Sequence, residues 1–283
     1  LFATFYGSSG VLTGSLANII VTGLVESAAG VSISWTEWLR WLAPVMGLGR
    51  VLVVIAVIYL LYRPRDADAL DAPKRAESVS VTAEQLRMLV FLLVGVAIWV
   101  TDFAHGLHPL FGALVVALLA FAPKIGVVDP GAVGEADFSI LFFFGAIFAI
   151  AAGLQQTGFT NLAAETLLSQ LPADVSLPLV LVFVVIVSQL LTLVMEGLAV
   201  ASVLTPILVS FSSTVGVPLV PIAMMEAVAL NTYFFPYQSA VLVAILGMGV
   251  VDTVELTRVS SAIAVLTLLT LVPIQIGVFL VLY

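Results

Sequence analysis

Polar residues interrupt a hydrophobic run near the start of the chain. The segment GSSGVLTGSLANIIVTGL (7–24) carries four glycines, and it places Thr13, Gly14, Ser15 and Asn18 among aliphatic residues. Hydroxyl, amide and carbonyl oxygens bind small cations, and the free N–H groups at a helix start bind anions. An amide at membrane depth also needs hydrogen-bond partners. The pattern predicts an unwound link that binds a cation, while a half-helix N-terminus faces an anion.

A second hydrophobic run is interrupted near the end of the chain. FFPYQSAVLVAIL (234–246) contains Pro236, Gln238 and Ser239, and Asn231 precedes it. Proline removes a backbone donor and breaks the helical ladder, so the freed carbonyl groups need other partners. We expect a second broken helix in which Asn231, Gln238 and Ser239 contribute oxygen and amide groups to the same site.

Both patterns have a purely structural alternative. Gly10-x-x-x-Gly14 is also the spacing with which small residues let two membrane helices pack closely. Pro236, in turn, could only kink a helix whose freed carbonyls are covered by Gln238 or Ser239. The sequence leaves these alternatives open, although the amide of Asn18 favours a binding site.

These segments lie in a chain with the composition of a membrane protein. Of its 283 residues, 62% are hydrophobic and 9% are charged, and the mean hydropathy is +1.24. We therefore expect an all-α polytopic membrane protein. The absence of cysteine excludes disulfides and thiolate metal sites. No H-E-x-x-H, nucleophile elbow or phosphate-binding glycine loop is present, so we expect no enzyme activity, no cofactor and no nucleic-acid partner.

Hydrophobic segments predict about seven transmembrane helices and one re-entrant hairpin. The 35 residues of 177–211 are too few for two complete spans and a turn, which need roughly 40. We predict that they form the hairpin, with an irregular tip at MEGLAVAS (195–202). The predicted spans are 5–25, 42–61, 86–103, 110–122, 138–154, 219–250 and 259–283.

The positions of the basic residues predict the orientation. The polar loop 63–87 contains five of the nine Lys and Arg residues, so it is expected to be cytoplasmic. Arg40 and Arg50 fall between the first two spans, on the predicted outer side. WTEWLRW (35–41) contains three tryptophans and is predicted to be an amphipathic helix at the membrane interface.

An internal similarity indicates a repeat. SWTEWLRWLAPV from Ser34 aligns with DTVELTRVSSAI from Asp252, at an offset of 218 residues (252 − 34). Each follows a broken span, as in inverted-repeat transporters, although a Glu-x-x-Arg pair is also an ordinary salt bridge on a helix surface. The predicted organisation is the end of a first repeat (1–62), a cytoplasmic loop (63–87) and a second repeat (88–283) with the hairpin 177–211, the broken helix 219–250 and the last helix 259–283.

Together these segments resemble the divalent-anion/sodium symporter family of the ion-transporter superfamily. TGSLAN and the Trp-rich stretch after it look like the later part of that family's first repeat. LTLVMEGLAVASVLTPIL (191–208) sits where the family has its second hairpin, and NTYFFPYQSAVLVAILGMG (231–249) where it has its second broken span. The resemblance covers the whole chain. Since the chain starts at Leu1, inside the first repeat, we expect a front part with four spans and the first hairpin to be missing.

Combined with this resemblance, the polar segments give two expected sets of ligands at the hairpin tip and the two breaks. The expected substrate-binding residues are Ser15, Asn18, Glu196, Gly197, Gln238 and Ser239. The expected cation-binding residues are Thr13, Gly14, Asn18, Glu196, Ala199, Asn231, Thr232 and Ser239.

The chain departs from the family pattern at the hairpin tip. Where the family has Ser-Asn-Thr, this chain has Glu196, Gly197 and Leu198. A buried Glu196 would have to bind a proton or a cation, since an isolated charge at membrane depth is costly. The prolines that the family has in both breaks are also absent, at Ala17 and after Ser239. Glu226, the second acid within a span, is expected to serve helix packing or proton relay.

The resemblance implies a secondary active transporter that carries a small divalent anion, such as a dicarboxylate or sulfate, together with a coupling cation. Sodium is the first expectation for that cation and a proton the second. The alternatives are a proton-coupled anion permease and a cation/proton antiporter of the same superfamily. We further expect a homodimer in the lipid bilayer of a bacterial inner membrane. Hairpins and broken helices are expected to move as one unit past a static scaffold.

Overall fold

The computed structural model describes residues 2–62, 81–136, 138–171, 175–249 and 251–283. These residues form helices joined by short turns, and no strand occurs among them. The predicted class, an all-α polytopic membrane protein, is confirmed. Four of the described helices are long and apolar enough to cross a membrane by length and composition: Trp35–Leu61, Ala83–Val100, Gly197–Val215 and Thr253–Leu282.

In chain order, the described helices are α1 (Phe2–Gly7), α2 (Leu16–Ala29), α3 (Trp35–Leu61), α4 (Ala83–Val100), α5 (Asp102–His105), α6 (Leu110–Ala120), α7 (Ser139–Gln156), α8 (Phe159–Leu168), α9 (Leu177–Thr192), α10 (Gly197–Val215), α11 (Leu219–Leu230), α12 (Ala240–Gly247) and α13 (Thr253–Leu282). Residues 63–80 of the predicted cytoplasmic loop lie outside the described residues. Its predicted end at residue 87 is wrong, because a capping box formed by Thr82 and Gln85 starts α4 inside it.

The chain breaks where its polar residues predict. Between α1 and α2 lie two 3-10 turns, and then Ser15 in an extended conformation (φ −141°, ψ 140°) at the start of α2. Between α11 and α12 lie the 3-10 turn Pro236–Gln238 and then Ser239, also extended (φ −143°, ψ 125°). An extended residue cannot continue a helical hydrogen-bond ladder, so each serine marks the start of a new half-helix.

A long helix follows each broken helix. The helices α3 and α13 begin at Trp35 and Thr253, an offset of 218 residues (253 − 35) that equals the offset of the sequence similarity. Both contain a π-helical turn, at Ala43–Gly49 and Thr267–Leu271. The order of half-helix, 3-10 turn, extended serine, half-helix and long helix is thus repeated. That the two repeats are inverted in the membrane stays a prediction.

The predicted interfacial helix at 35–41 is helical but is not a separate element, and its position at the membrane interface stays a prediction. It forms the first turns of α3, which continues through the π turn to Leu61. The side chain of Trp38 is completely buried and that of Trp35 nearly so. Tryptophan at a spacing of three residues therefore marks a buried face here.

The chain divides into two compact units. The larger unit comprises Leu1–Ile33, Glu37–Leu61 and Leu141–Tyr283, and it holds all the predicted site residues. Its apolar core joins both broken helices with α3 and α13, through close packing, which is the main source of helix association in lipid. The buried residues of this core are Tyr6, Val54, Val57, Tyr233, Leu242, Ile245, Leu256, Val259 and Ile263.

The helices α9 and α10 are joined by a short turn and form a helical hairpin in the larger unit; that this hairpin is re-entrant stays a prediction. The turn between them is shorter than predicted, because α10 begins at Gly197 and residues 197–202 are helical. The N-terminal residue of this helix packs closely, since a Cβ on Gly197 would lie 3.2 Å from the carbonyl oxygen of Leu230. The hairpin tip thus rests on the C-terminal end of α11.

The smaller unit comprises Ser34–Thr36 and Tyr62–Ile140. In it, α4 packs against α6, and the Trp99 indole stacks on Trp35 and donates a hydrogen bond of 2.7 Å to the carbonyl oxygen of Pro109. The carboxylate of Asp102 accepts hydrogen bonds from the backbone N–H groups of Trp35 (2.6 Å) and Thr36 (3.1 Å). Asp102 therefore caps a helix distant in sequence.

We expect Asp102→Ala to destabilise the protein by about 1–3 kcal/mol, because it leaves buried N–H donors without an acceptor. Asp102 is 4% exposed. The measurement is the thermal unfolding of purified protein in detergent. Asp252→Ala is the matched control, since Asp252 is exposed and makes no side-chain cap at the start of α13. Equal unfolding temperatures for the two variants would contradict the capping role.

Candidate functional site

The starts of three helices line one cavity in the larger unit. The cavity has a volume of about 220 Å³. Each of α2, α10 and α12 contributes its N-cap residue and its first two helical residues to the wall. These residues are Ser15, Leu16, Ala17, Glu196, Gly197, Leu198, Ser239, Ala240 and Val241, and the remaining wall is formed by Phe5, Ser8, Gly14, Leu230 and Tyr233.

Two of these three helix starts carry no side-chain cap. Neither Ser15 at α2 nor Ser239 at α12 caps the first turn with its hydroxyl. At α10, by contrast, the carboxylate of Glu196 accepts a hydrogen bond of 2.8 Å from the backbone N–H of Leu198. The first N–H groups of a helix lack intrahelical partners and carry partial positive charge. The cavity therefore presents two helix starts without a side-chain cap and one that is capped by the chain's own carboxylate.

The amides of Asn18 and Asn231 join the two breaks beside the cavity. Asn231 Nδ2 donates to Asn18 Oδ1 at 2.9 Å, and Asn18 Nδ2 donates to the carbonyl oxygen of Val11 at 2.9 Å. The hydroxyl of Ser15 donates to Asn231 Oδ1 at 2.7 Å. Asn18 is completely buried and Asn231 is 5% exposed, so these bonds replace water at both amides.

Arg50 crosses between the two breaks, which corrects its predicted place in an outer loop. It is completely buried within α3. Its guanidinium donates to Ser9 Oγ at 3.0 Å in the first break. At the end of α11 it donates to the carbonyl oxygens of Val228 (3.0 Å) and Asn231 (3.1 Å), and also to the hydroxyl of Thr232. Arg50 is the principal site-forming residue that the sequence analysis missed.

Trp38 also supports the first break. Its indole N–H donates a hydrogen bond of 3.1 Å to the carbonyl oxygen of Ser9, and the Ser9 hydroxyl donates to the carbonyl oxygen of Met46 at 3.1 Å. A broken helix frees carbonyl groups, and these bonds satisfy some of them inside the protein. The π turn of α3 and its buried tryptophan therefore hold the unwound segment in place.

Gln238 braces the second break instead of lining the cavity. Its Oε1 accepts hydrogen bonds from the backbone N–H groups of Phe234 (2.6 Å) and Phe235 (2.8 Å). Its Nε2 donates to the carbonyl oxygen of Thr192, at the end of α9, at 3.0 Å. Gln238 is completely buried and its amide is fully engaged. The structural alternative for this residue, covering backbone groups freed by the break, describes what the structure shows.

Two further side chains tie the hairpin to the second break. Gln189 Nε2 donates to the carbonyl oxygens of Ala229 (2.5 Å) and Thr232 (3.2 Å). The hydroxyl of Tyr237 donates to the carbonyl oxygen of Leu193 at 2.7 Å. Together with the brace from Gln238, these bonds connect α9 to both ends of the break, so the hairpin and the second broken helix form one connected structure.

The structure brings together only some of the residues that were predicted to bind a cation. Gly14, Glu196 and Ser239 line the cavity, but Thr13 and Ala199 are not part of its wall. Thr232 is engaged by Arg50. The described residues contain no cluster of three or more His, Cys, Asp and Glu side chains that could hold a metal ion. A sodium site at these positions therefore stays a prediction, to be built mainly from hydroxyl and carbonyl oxygens.

Glu226 lies outside the cavity wall. It is completely buried in α11, where the Thr205 hydroxyl of α10 donates to Oε1 at 2.9 Å. Its Oε2 has no hydrogen-bond partner among the residues described. Glu226 thus connects the hairpin to α11. Of its two predicted roles, helix packing and proton relay, this contact corresponds to helix packing.

A larger cavity, of about 580 Å³, lies along α9 and α13. Its wall is apolar except for Gln189, whose amide N–H groups are engaged as described above. It offers no helix start and no charged group, so it is unsuited to a small anion. The smaller cavity, by contrast, is lined by three helix starts, two serine N-caps and a carboxylate.

The larger unit contains half-helices that end inside it, a hairpin that rests on one of them and a cavity lined by helix starts. These features define a membrane protein with the broken-helix architecture of secondary transporters. The chain belongs to the family of the sodium:sulfate symporter transmembrane region, whose model matches residues 1–282. The resemblance to the divalent-anion/sodium symporters is thereby confirmed.

The chain is also similar to curated relatives. It is 25% identical over 272 residues to the L-tartrate/succinate antiporter of Escherichia coli strain UTI89, over 92% of this chain and 55% of the relative. Proteins of the same name in Escherichia coli strain K12 and Shigella dysenteriae serotype 1 are each 24% identical over the same shares. The chain thus spans about half the length of the relatives that it matches.

Proposed function

We propose that the protein is a secondary active transporter of a small divalent anion, a dicarboxylate or sulfate, bound in the cavity of about 220 Å³. The observation that carries the proposal is the convergence of two uncapped helix starts, those of α2 and α12, on this cavity. Free N–H groups at a helix start bind carboxylate and sulfate oxygens. Two such ends in one cavity suit an anion with two charges.

The coupling ion is the second part of the proposal. Glu196 lines the same cavity, and its carboxylate would repel a divalent anion unless a cation neutralised it. A sodium ion or a proton bound at Glu196 would remove this repulsion, so cation and anion would bind together. The expected ligands for sodium are Gly14, Glu196, Asn231 and Ser239, with Thr13, Asn18, Ala199 and Thr232 nearby in sequence.

Exchange of one anion for another is the second candidate mode. The similar proteins are named antiporters of tartrate and succinate. A carrier that binds an anion in both directions of its cycle needs no gradient of sodium or protons. A proton-coupled permease would use Glu196 to bind the proton in place of sodium, and a cation/proton antiporter would use it to bind a proton and a cation in turn. For the whole protein we further propose a homodimer in a bacterial inner membrane, with the polar segment that precedes α4 in the cytoplasm.

One experiment separates these modes. Labelled succinate or sulfate is offered to proteoliposomes containing the full-length protein, with a sodium gradient, a proton gradient or unlabelled succinate inside. We expect uptake under at least one condition: sodium-driven uptake identifies symport, proton-driven uptake makes Glu196 the coupling group, and uptake only into preloaded vesicles identifies exchange. Absence of uptake of both anions under all three conditions would refute the anion-transport proposal.

Three substitutions test the site. We expect Asn18→Ala, Ser239→Ala and Glu196→Gln each to change uptake by about tenfold or more, since each removes a hydrogen-bonding or charged group at the cavity or its support. Glu196→Gln should also alter the dependence on the coupling ion. The exposed Ser213→Ala and Glu165→Gln are matched controls and should transport normally. Unchanged uptake in all three test variants would disprove the site assignment.

A further inference from the structure

The surroundings of Arg50 have the composition of a cation site. The guanidinium is bound by two backbone carbonyl oxygens, of Val228 and Asn231, and by the hydroxyls of Ser9 and Thr232. Carbonyl and hydroxyl oxygens at the end of a half-helix are the ligands with which broken-helix transporters hold a coupling cation. The negative end of the α11 dipole adds to this preference for positive charge.

No carboxylate is among the hydrogen-bond partners of Arg50 in the part of the chain that the structure describes. Its Nε, which is also buried, has no acceptor there either. Removing a charge from water is costly, and neutral oxygens and a helix dipole offset the cost only in part. The larger unit therefore keeps a positive charge that an anion can balance.

A single residue, Asn231, links the guanidinium of Arg50 to the wall of the cavity. The backbone carbonyl oxygen of Asn231 accepts a hydrogen bond from Arg50. Its side-chain oxygen accepts one from Ser15, and Ser15 is part of the cavity wall. Tyr233 is also part of that wall, and it directly follows Thr232, whose hydroxyl accepts a hydrogen bond from Arg50. A bound anion would thus lie in the field of the guanidinium, in surroundings with little water to screen it.

We propose that Arg50 is a built-in counter-cation: it occupies the place of one coupling cation at the end of α11 and balances one charge of the bound divalent anion. The inference rests on the proposed function. It distinguishes this chain from a carrier that must recruit every balancing cation from solution. Removing the guanidinium charge should raise the number of mobile cations carried with each anion by one.

The test compares Arg50→Ala and Arg50→Lys in the full-length protein reconstituted in liposomes. We expect Arg50→Ala to bind succinate at least about tenfold more weakly, and millimolar guanidinium or sodium to restore binding by filling the vacated site. Arg50→Lys keeps the charge and should stay within a few-fold of the natural protein. Arg40→Ala is the matched control, because Arg40 is exposed and its guanidinium lies over the ring of Trp41, away from the hydrogen bonds of Arg50.

Two readouts separate this role from a structural one. Sodium dependence of succinate binding should increase in Arg50→Ala and the net charge moved per anion should become more positive by one, whereas lost hydrogen bonds alone would lower the unfolding temperature and leave both unchanged. Folded Arg50→Ala with natural succinate affinity and charge movement would overturn the proposal. If Arg50→Ala does not fold, Arg50→Lys decides: a folded lysine variant with tenfold weaker binding would equally overturn it. Failure of the natural protein to bind succinate or sulfate would refute the proposed function instead.

Discussion

Replacement of Asn231 by alanine is expected to reduce anion transport by about a hundredfold. The side chain of Asn231 accepts a hydrogen bond from Ser15 and donates one to Asn18 and one to the carbonyl oxygen of Ala227. Alanine leaves the oxygen of Asn18 buried without a donor and the hydroxyl of Ser15 without its acceptor. Each unsatisfied buried group costs about 1–3 kcal/mol, and tenfold corresponds to about 1.4 kcal/mol.

The geometry at the helix starts explains why transport should suffer more than folding. Asn231 holds Ser15, the N-cap residue of α2, at the cavity wall, so its loss moves one of the two uncapped helix starts. A displacement of a binding group by about 1 Å is enough to lower activity strongly. The apolar core of the larger unit does not include Asn231, and it should keep the fold.

The measurements are succinate uptake and the unfolding temperature of the same preparation. Asn161→Ala is the matched control, since Asn161 is exposed on α8 and should change neither quantity. A folded Asn231→Ala protein with natural uptake would show that the contact between the two breaks is dispensable. Loss of uptake together with complete loss of folding would instead assign Asn231 to stability.

Gly10→Ala is expected to destabilise the protein by about 1–3 kcal/mol and to abolish transport. A Cβ on Gly10 would lie 2.6 Å from the Cα of Gly47 and 2.7 Å from its backbone nitrogen. Both are backbone atoms of the π turn in α3, so no side chain can rotate away, and the first break must move. That movement would disturb Ser9, which holds Trp38 and Arg50.

Gly277→Ala provides the control for this substitution. A Cβ on Gly277 meets nothing within 4 Å, and alanine favours a helix over glycine. We expect this variant to unfold at the natural temperature or slightly above it and to transport normally. If Gly10→Ala matched it in thermal unfolding and in uptake, the close approach of the first break to α3 would not be required.

The two breaks could be predicted because polar and helix-breaking residues inside an apolar run have few uses in a membrane. Asn18 and Asn231 were singled out for this reason, and the structure pairs them with each other. Their partnership could not be predicted, because it joins residues 213 positions apart through the packing of α2 against α11. Side-chain chemistry predicts that a buried amide has a partner, and only tertiary packing selects it.

Arg50 was missed for a different physical reason. It was counted with Arg40 as a basic residue between the first two spans, although position 50 falls inside the predicted span 42–61. The structure carries α3 past Pro44 and Gly49 as a π turn, in which the wider ladder tolerates the irregular backbone, and so places Arg50 within the helix. The available signal was that an apolar run without loop residues follows Arg50 directly.

The role of Gln238 could not be predicted from its residue type alone. A glutamine after a proline in an apolar run was expected both as a ligand and as a cover for freed backbone groups. Which of the two it becomes depends on the position of Thr192, which is 46 residues away in the sequence. The end of α9 supplies a carbonyl acceptor there, so the amide turns away from the cavity.

The ties between the hairpin and the second break have an evolutionary consequence. Each tie runs from the side chain of Gln189, Tyr237 or Gln238 to a backbone carbonyl oxygen. Every residue type has such an oxygen, so the accepting positions are under no selection from this brace. Mutational drift should therefore be tolerated at the exposed Leu193 and resisted at the three donors, and a homologue could keep this bond while its accepting residue differs.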